Sequence, residues 1–328
     1  MPGDMSFSYF ASFVYAQLFT KLPVPRTSYA GKTVIVTGSN VGLGLEAARW
    51  FTKLSASKII LAVRSTEKGE AAKRSIEATT KCSPEAIEVW PLDMCSYASV
   101  QAFASRASKD RDRIDVLLLN AGVATGKWNM AEDNELTITV NVVSTLLLAF
   151  LMLPKLKETA ATFNTTPNLT LVSSGAHAHV DFPERDASEG IFNRLNDEGK
   201  TDMMTRYPTS KLLPIYIVRE MAKRRPKYPV TINLVNPGLC ESELAREGNL
   251  QVRIMKFLLA RTTEVGSRTL VHGADAGRET HGMYLSECAL GEPATIVRSE
   301  EGRKAQMKLW GELVVKLEMI VPGVTGNL

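Results

Sequence analysis

Cysteine is scarce and scattered in this chain: Cys82, Cys95, Cys240 and Cys288 are the only four in 328 residues, with no C-x-x-C pair. That argues against a disulfide framework and predicts free thiols in a reducing, cytoplasmic compartment. Histidine is equally scarce. His177, His179, His272 and His281 form no metal-ligand spacing with the cysteines, so no metal is expected. Charge of one sign is not in excess either. The net charge of +4, with no basic stripe interleaved with aromatics, makes no case for nucleic acid. The one dense cluster, Lys223-Arg224-Arg225-Pro226-Lys227, ends a predicted helix, where cations complement the helix dipole. Internal repeats, low-complexity tracts and long linkers are missing. The apolar run from Phe7 to Leu22, stopped by Pro23 and Pro25, is shorter than the ~20 residues of a spanning helix. It has no basic n-region or small-residue cleavage site. It predicts an amphipathic helix packed on the body of the protein. The rival expectation is a membrane-surface anchor or a lid over an apolar pocket, giving peripheral membrane contact through residues 7–22.

What is present is an ordinary globular composition, 45% hydrophobic and 23% charged, with length enough for a sizeable core. From residue 31 onward, short aliphatic runs alternate with helical stretches. Thr33–Thr37, Lys58–Val63, Ala86–Trp90, Arg113–Leu119, Asn168–Val172 and Pro229–Val235 read as strands. Their unbroken apolar character marks strands buried on both faces. Helices are expected over Leu43–Leu54, Thr66–Ala78, from the N-cap Ser96 onward, over Glu135–Leu156 as one long apolar helix, and over Thr205–Arg224. The expected fold is α/β: a single doubly wound parallel-sheet Rossmann domain. Residues 1–30 form an N-terminal helical extension and residues 31–328 the domain. Extended substrate loops are expected near 175–204 and 239–262, and a C-terminal helix near 302–319.

Gly38-Ser39-Asn40-Val41-Gly42-Leu43-Gly44 follows the first strand and opens a helix. Glycines there let the backbone approach a pyrophosphate, which the helix N-terminus attracts. The second strand ends in Leu61-Ala62-Val63-Arg64-Ser65, with no acidic residue to hold a ribose 2′-hydroxyl. Arg64 suits a 2′-phosphate instead, with Ser39 and Lys68 assisting, which favours NADPH over NADH. Tyr207 and Lys211, four apart in Tyr207-Pro208-Thr209-Ser210-Lys211, share a helix face. An ammonium beside a phenol favours the phenolate and lowers a pKa that starts near ~10. A tyrosine so tuned exchanges protons with a carbonyl or alcohol oxygen. Pro208 suits a first helical turn, which would put Tyr207 at the start of its helix.

Thr37-Gly38-x-x-x-Gly42-x-Gly44, Asp93, Asn120-Ala121-Gly122, Asn141, Ser173-Ser174, Tyr207-x-x-x-Lys211 and Pro237-Gly238 occur in this order. In that respect the chain resembles the short-chain dehydrogenase/reductase family over residues 31–290. Val63-Arg64-Ser65-Thr66-Glu67-Lys68-Gly69-Glu70 is similar to the retinol-dehydrogenase-like branch. The terminal extensions resemble fungal members, several of which act in secondary metabolism. The resemblance implies Tyr207 as general acid in reduction. Lys211 would lower its pKa and bind the nicotinamide ribose. Ser174, rather than Ser173, would polarise the substrate carbonyl, and Asn141 would complete a proton relay through a water near Lys211. Gly38, Ser39, Asn40, Gly42, Leu43, Gly44, Arg64, Lys68, Asp93, Asn120, Ala121, Gly122, Pro237, Gly238 and Ser242 would line the cofactor. Ser174 and Tyr207 are about 33 residues apart, and the insertion between them carries Val180, Phe182, Ile191, Phe192, Met203 and Met204. These would wall a roomy apolar pocket or pack as a surface flap. The expected activity is NADPH-dependent reduction of a bulky apolar ketone or aldehyde, with a polyketide-type ketone as the expected class. Retinoid or lipid alcohol oxidation is the alternative, as is a non-redox step (dehydration, epimerisation or a pericyclic step) on the same scaffold. A homodimer is also compatible with the resemblance.

Overall fold

The computed structural model describes residues 7–241 and 258–328. An N-terminal helix, α1 (Phe7–Phe19), precedes the first strand. The alternation read from the sequence then unfolds as β1 (Thr33–Thr37), α2 (Gly42–Lys53), β2 (Lys58–Val63), α3 (Thr66–Thr80), β3 (Ile87–Pro91), α4 (Tyr97–Asp110) and β4 (Val116–Leu119). A small hairpin, β5 (Met130–Ala131) with β6 (Asn134–Glu135), leads into α5 (Thr145–Phe163) and β7 (Asn168–Val172). The chain continues through α6 (Met203–Arg224), β8 (Thr231–Asn236), α7 (Thr263–Asp275), β9 (Tyr284–Ser286), β10 (Ala289–Leu290) and α8 (Glu300–Ile320). Most of the loop expected near 239–262 lies outside the described residues.

The main sheet has the order β10-β9-β8-β7-β4-β1-β2-β3. All its pairings are parallel except β10 on β9. This is the doubly wound architecture. Every residue of β1 is buried, as the unbroken aliphatic runs require of strands covered on both sides. One covering layer packs Ala47, Ala48 and Phe51 of α2 and Leu270 and Val271 of α7 against Val34 and Val36. The other packs the Leu146–Leu148 stretch of α5 and the Leu212–Val218 face of α6 against Ile35 and Leu117. The helices that follow β1 and β4 therefore leave on opposite faces. A crevice opens where the strand order reverses, at the C-terminal edge.

Three sequence expectations need correction. The first concerns the helix expected over Glu135–Leu156, which is not uniform. A short α-turn, Leu136–Ile138, passes into a π-helical turn over Thr139–Ser144 before α5 begins. The Thr145 hydroxyl donates to the Val140 carbonyl within the wide turn (2.8 Å). An extra residue in a turn rotates the remainder of the helix by ~100°, and such turns concentrate at functional sites. Here the turn contains Asn141. The stretch 136–163 is long and apolar enough to cross a membrane, yet 89% of its most apolar window is buried inside the fold.

The second correction concerns Pro208. The helix begins at Met203 with Asp202 as its N-cap, whose carboxylate accepts from Met204 N–H (2.9 Å). Pro208 thus lies in the second turn, past the first. Its missing N–H leaves the carbonyl one turn back, on exposed Met204, without its helical donor, a loss water can make good at the surface.

The third concerns the insertion at 175–204, most of whose apolar side chains neither wall the cavity nor lie as a flap, although Met204 is exposed. Val180, Phe182, Ile191 and Phe192 are core residues. The C-terminal helix α8 holds them in place. Glu312 accepts from Ile191 N–H (2.9 Å) and Phe192 N–H (3.1 Å), and Lys308 donates to Arg185 O (3.0 Å). The helix of the N-terminal extension packs one edge, through buried Gln17, and leaves Tyr15, Leu18 and Phe19 exposed.

Candidate active site

A cavity of about 540 Å³ opens at the C-terminal edge of the parallel strands, a size common for small-molecule sites. Loops after β1, β2, β3, β4, β7 and β8 surround it. Gly38, Asn40, Gly42, Leu43, Arg64, Lys68, Asp93, Asn120, Ala121, Gly122, Ser174, Tyr207, Lys211, Pro237 and Gly238 all line it.

The glycine turn is built by close approach. A Cβ on Gly44 would lie 2.6 Å from the Gly38 carbonyl oxygen and 2.5 Å from Asn120 Nδ2. Gly42 is open to space but has φ +62°, which L side chains rarely adopt. Asn120 Nδ2 donates to Thr37 O (2.9 Å) and Gly38 O (3.2 Å), and Thr37 Oγ1 accepts from the Asn120 and Ala121 N–H groups (3.0 Å each). The ends of β1 and β4 are thereby tied across the switch point. Gly44→Ala pushes on backbone, so it is expected to destabilise by ~1–3 kcal/mol, read as a lowered Tm and weaker nucleotide binding. Ser39 does not line the cavity: its hydroxyl is buried and donates to Val36 O (2.9 Å), a turn-building contact that removes it as a phosphate ligand through its side chain. Ser242 lies outside the described residues. Arg64 stands exposed at the end of β2 with Lys68 one helical turn on, and its guanidinium reaches Cys95. Asp93 Oδ1 accepts from Cys95 N–H (2.9 Å), so the carboxylate also shapes the turn after β3.

At the other end the π-helical turn, β7 and α6 converge. Ser174, the N-cap of a 3₁₀ turn, accepts from Ala176 N–H (3.2 Å) and hydrogen-bonds to the Tyr207 hydroxyl. Ser173 is buried and donates to the Lys211 carbonyl (3.3 Å), which separates the roles of the two serines. Lys211 Nζ donates to Val172 O (2.8 Å) and sits 5.8 Å from the Tyr207 ring centroid. Asn141 does not face the cavity directly. Its Oδ1 accepts from Val123 N–H (2.9 Å), and its Nδ2 donates to Val123 O and Ser210 Oγ (2.9 Å each). A Cβ on Gly122 would lie 3.1 Å from Asn141 Oδ1 and 3.5 Å from Lys211 Nζ, so the two side chains meet beneath that glycine.

The electrostatics correct one expectation. Burial pushes Tyr207 up to about 12, with the Ser174 hydrogen bond pulling the other way, and burial brings Lys211 down to about 8. In the protein alone, desolvation of the phenol outweighs the Ser174 hydrogen bond, while Lys211 is itself buried and spends a donor on Val172. Tyr207 is therefore a held proton donor at neutral pH.

Several supporting residues escaped the sequence reading. Asn236 Oδ1 accepts from both Gly175 N–H (2.9 Å) and Gly238 N–H (3.1 Å), joining the loop that carries Ser174 to the one that carries Gly238. His177 Nδ1 lies 2.7 Å from Ser174 O and Nε2 accepts from Ala294 N–H (2.9 Å), which places the proton on Nδ1. Glu135 caps the turn that leads to Asn141 and lies 3.5 Å from Arg206 Nε, both buried. A strand-end asparagine and a histidine in a Ser-Ser-Gly-Ala-His run are the only local signals, and neither names its partner.

The site offers a phosphate-accepting turn, a cationic loop and a phenol–hydroxyl pair beside a buried ammonium. This set can hold a dinucleotide and pass a proton to an oxygen. A sequence profile described as short chain dehydrogenase matches residues 32–165. The short chain dehydrogenase/reductase dmxR8 of Cryptosporiopsis sp. (strain 8999) is 54% identical over 321 residues, 96% of this chain and 99% of that one. The short chain dehydrogenase atnD of Emericella nidulans is 46% identical over 290 residues, covering 85% and 91%. Among solved structures, the 3-ketoacyl-(acyl-carrier-protein) reductase of Brucella melitensis complexed with NADH has a TM-score of 0.59 at 18% identity, covering 79% of this chain and 97% of that one. A short chain dehydrogenase from Shigella flexneri has a TM-score of 0.58 at 20% identity, covering 81% and 94%. Those structures carry the fold across about four-fifths of the chain, and dmxR8 carries the sequence across nearly all of it; the chain belongs to the short-chain dehydrogenase/reductase family and is an oxidoreductase of fungal type.

Proposed function

We propose that the protein is an NADPH-dependent reductase of a bulky apolar ketone or aldehyde, of the polyketide-type class found in secondary metabolism. The observation that carries the cofactor preference is Arg64. It lines the cavity at the end of β2, where an acidic residue would hold a ribose hydroxyl, and Lys68 stands beside it. The Brucella structure on the same fold holds NADH, so the preference rests on these side chains rather than on the architecture.

The glycine turn, with the N-terminus of α2 behind it, would hold the pyrophosphate, and Arg64 and Lys68 the 2′-phosphate. When bound, the reduced nicotinamide supplies a hydride to the carbonyl carbon. Tyr207 gives its hydroxyl proton to the carbonyl oxygen, so that C=O becomes CH–OH, and Ser174 donates a hydrogen bond to that oxygen as charge develops. Lys211 keeps positive charge beside the phenolate left behind. Asn141 holds Val123 and the π-helical turn in place around them. The apolar character of the cavity wall near Tyr207, with Val123 and Leu239 beside the polar groups, supports an apolar substrate.

Arg64→Ala removes a charge-assisted contact worth ~1.5–3 kcal/mol. The expected result is NADPH affinity reduced by ~10–100-fold, with NADH affinity unchanged, measured by fluorescence titration. A wild-type protein that binds NADH more tightly than NADPH would overturn the cofactor assignment.

A further inference from the structure

The segment before β1 lies outside the family profile, which starts at residue 32, yet it reaches the cavity wall. Gln17 is a buried polar residue of a mostly apolar helix, 8% exposed. Its carboxamide makes three hydrogen bonds to backbone groups more than 220 residues away. Nε2 donates to Leu239 O (2.8 Å) and Leu259 O (2.9 Å), and Oε1 accepts from Leu239 N–H (3.2 Å). Leu239 follows Pro237 and Gly238, and all three line the cavity. Gly238 has φ +75°, and a Cβ there would lie 2.5 Å from Gln17 Oε1 and 2.9 Å from Arg261 Nη1. The carboxamide thus occupies the space behind the glycine.

The neighbouring contacts reinforce that anchorage. Arg261 N–H donates to Leu239 O (2.9 Å), its carbonyl accepts from Glu241 N–H (2.9 Å), and its Nη2 donates to Ala16 O (2.7 Å) while pairing with Glu287. From the other side Asn236 holds Gly238 N–H (3.1 Å). The Pro237-Gly238-Leu239 turn is therefore held at one end by the sheet and at the other by α1.

We infer that Gln17 is a positioning residue for the reaction: by clamping both polar groups of Leu239 it sets the Pro237–Leu239 wall at which the reacting end of the cofactor and the substrate carbonyl meet Tyr207. The inference rests on the reductase reading. Gln17 fits because a carboxamide alone among side chains of this length offers two N–H donors and an acceptor on one flat group. A glutamate keeps the shape, but when ionised it sets a charge against two carbonyl oxygens and supplies no donor. Protonated, it regains one donor.

The experiment uses the full chain with Gln17→Leu and Gln17→Glu. Hydrogen exchange of the Leu239 amide, followed without cofactor or substrate, is expected to speed up by ~3–10-fold in Gln17→Leu, for the loss of one acceptor. NADPH oxidation with a ketone substrate is expected to show kcat lowered by ~10–100-fold for a displaced wall, with an increased kinetic isotope effect from 4-deuterated NADPH and a smaller change in Tm. In Gln17→Glu, kcat is expected to recover as the pH is lowered through the carboxyl titration, a dependence the wild type lacks. Wild-type exchange at Leu239 and wild-type kcat in Gln17→Leu would overturn the inference. So would a large fall in Tm in both variants with no recovery at low pH, since that is the signature of a packing role. If the wild type oxidises NADPH with no carbonyl compound, the reductase reading falls, and the exchange result still decides whether Gln17 holds Leu239.

Discussion

Tyr207→Phe is expected to lower turnover by ~10²–10⁴-fold, the range for removing a positioned general acid, while NADPH affinity stays within a few-fold of wild type. The phenyl ring fills the same half-buried position, so the cavity wall survives. What is lost is one proton donor and the partner of the Ser174 hydroxyl. Burial holds the phenol up at about 12, so wild-type Tyr207 is protonated across the whole working range of pH and ready to give its proton in reduction. The alcohol-oxidation direction asks for the opposite form and is expected to be the slower one at neutral pH. Steady-state rates in both directions, with NADPH titrated by fluorescence, check this. Undiminished reduction by the phenylalanine variant would sink the assignment of the acid.

Lys211→Met is expected to abolish most activity, by ~10²-fold or more if the ammonium stabilises the phenolate formed in the transition state, without lowering Tm at pH 7. The reason lies in its burial. Desolvation brings Lys211 from 10.5 down to about 8. Between those values the unfolded chain binds a proton that the folded chain has released, so stability rises with pH across that window. Below about 8 the buried ammonium is a standing cost that methionine removes, offset in part by the donor that Val172 O loses. A lysine kept where it costs stability is a sign of function. The same titration predicts that kcat/KM for reduction in the wild type falls as pH rises through about 8, because the ammonium is lost while Tyr207 stays protonated. A pH–rate profile flat to pH 10, or a variant that loses both activity and stability, would count against this account.

The strands were legible because each is a local apolar run whose burial on both faces needs no knowledge of its neighbours. β1, β2 and β7 begin and end where their side chains say. Ser96 was legible as an N-cap for the same reason, since the cap bond to Ser99 N–H spans three residues. Pro208 was misplaced because helix starts are set by the cap that wins. Asp202 lies close enough to open the helix a turn earlier than a proline rule suggests. The π-helical turn at Thr139–Ser144 leaves no trace in an apolar run that suits an α-helix equally well. Ser39 shows the limit of motif reading: a serine in a glycine turn is chemically suited to a phosphate, and its rotamer turned it to Val36.

Short-range chemistry along the chain was enough for the alternation of strands and helices, the glycine turn after β1, and the pairing of Tyr207 with Lys211 on one helix face. These arise from side-chain period and backbone sterics, which act within a few residues. The folded chain was needed for everything that depends on which distant groups share a wall. Burial pushes Tyr207 up and Lys211 down. Asn236 joins the loops that carry Ser174 and Gly238, α8 claims the apolar residues of the insertion, and Gln17 reaches across the molecule to Leu239. Desolvation and long-range hydrogen bonds are properties of packed surfaces, and no window of sequence contains both partners.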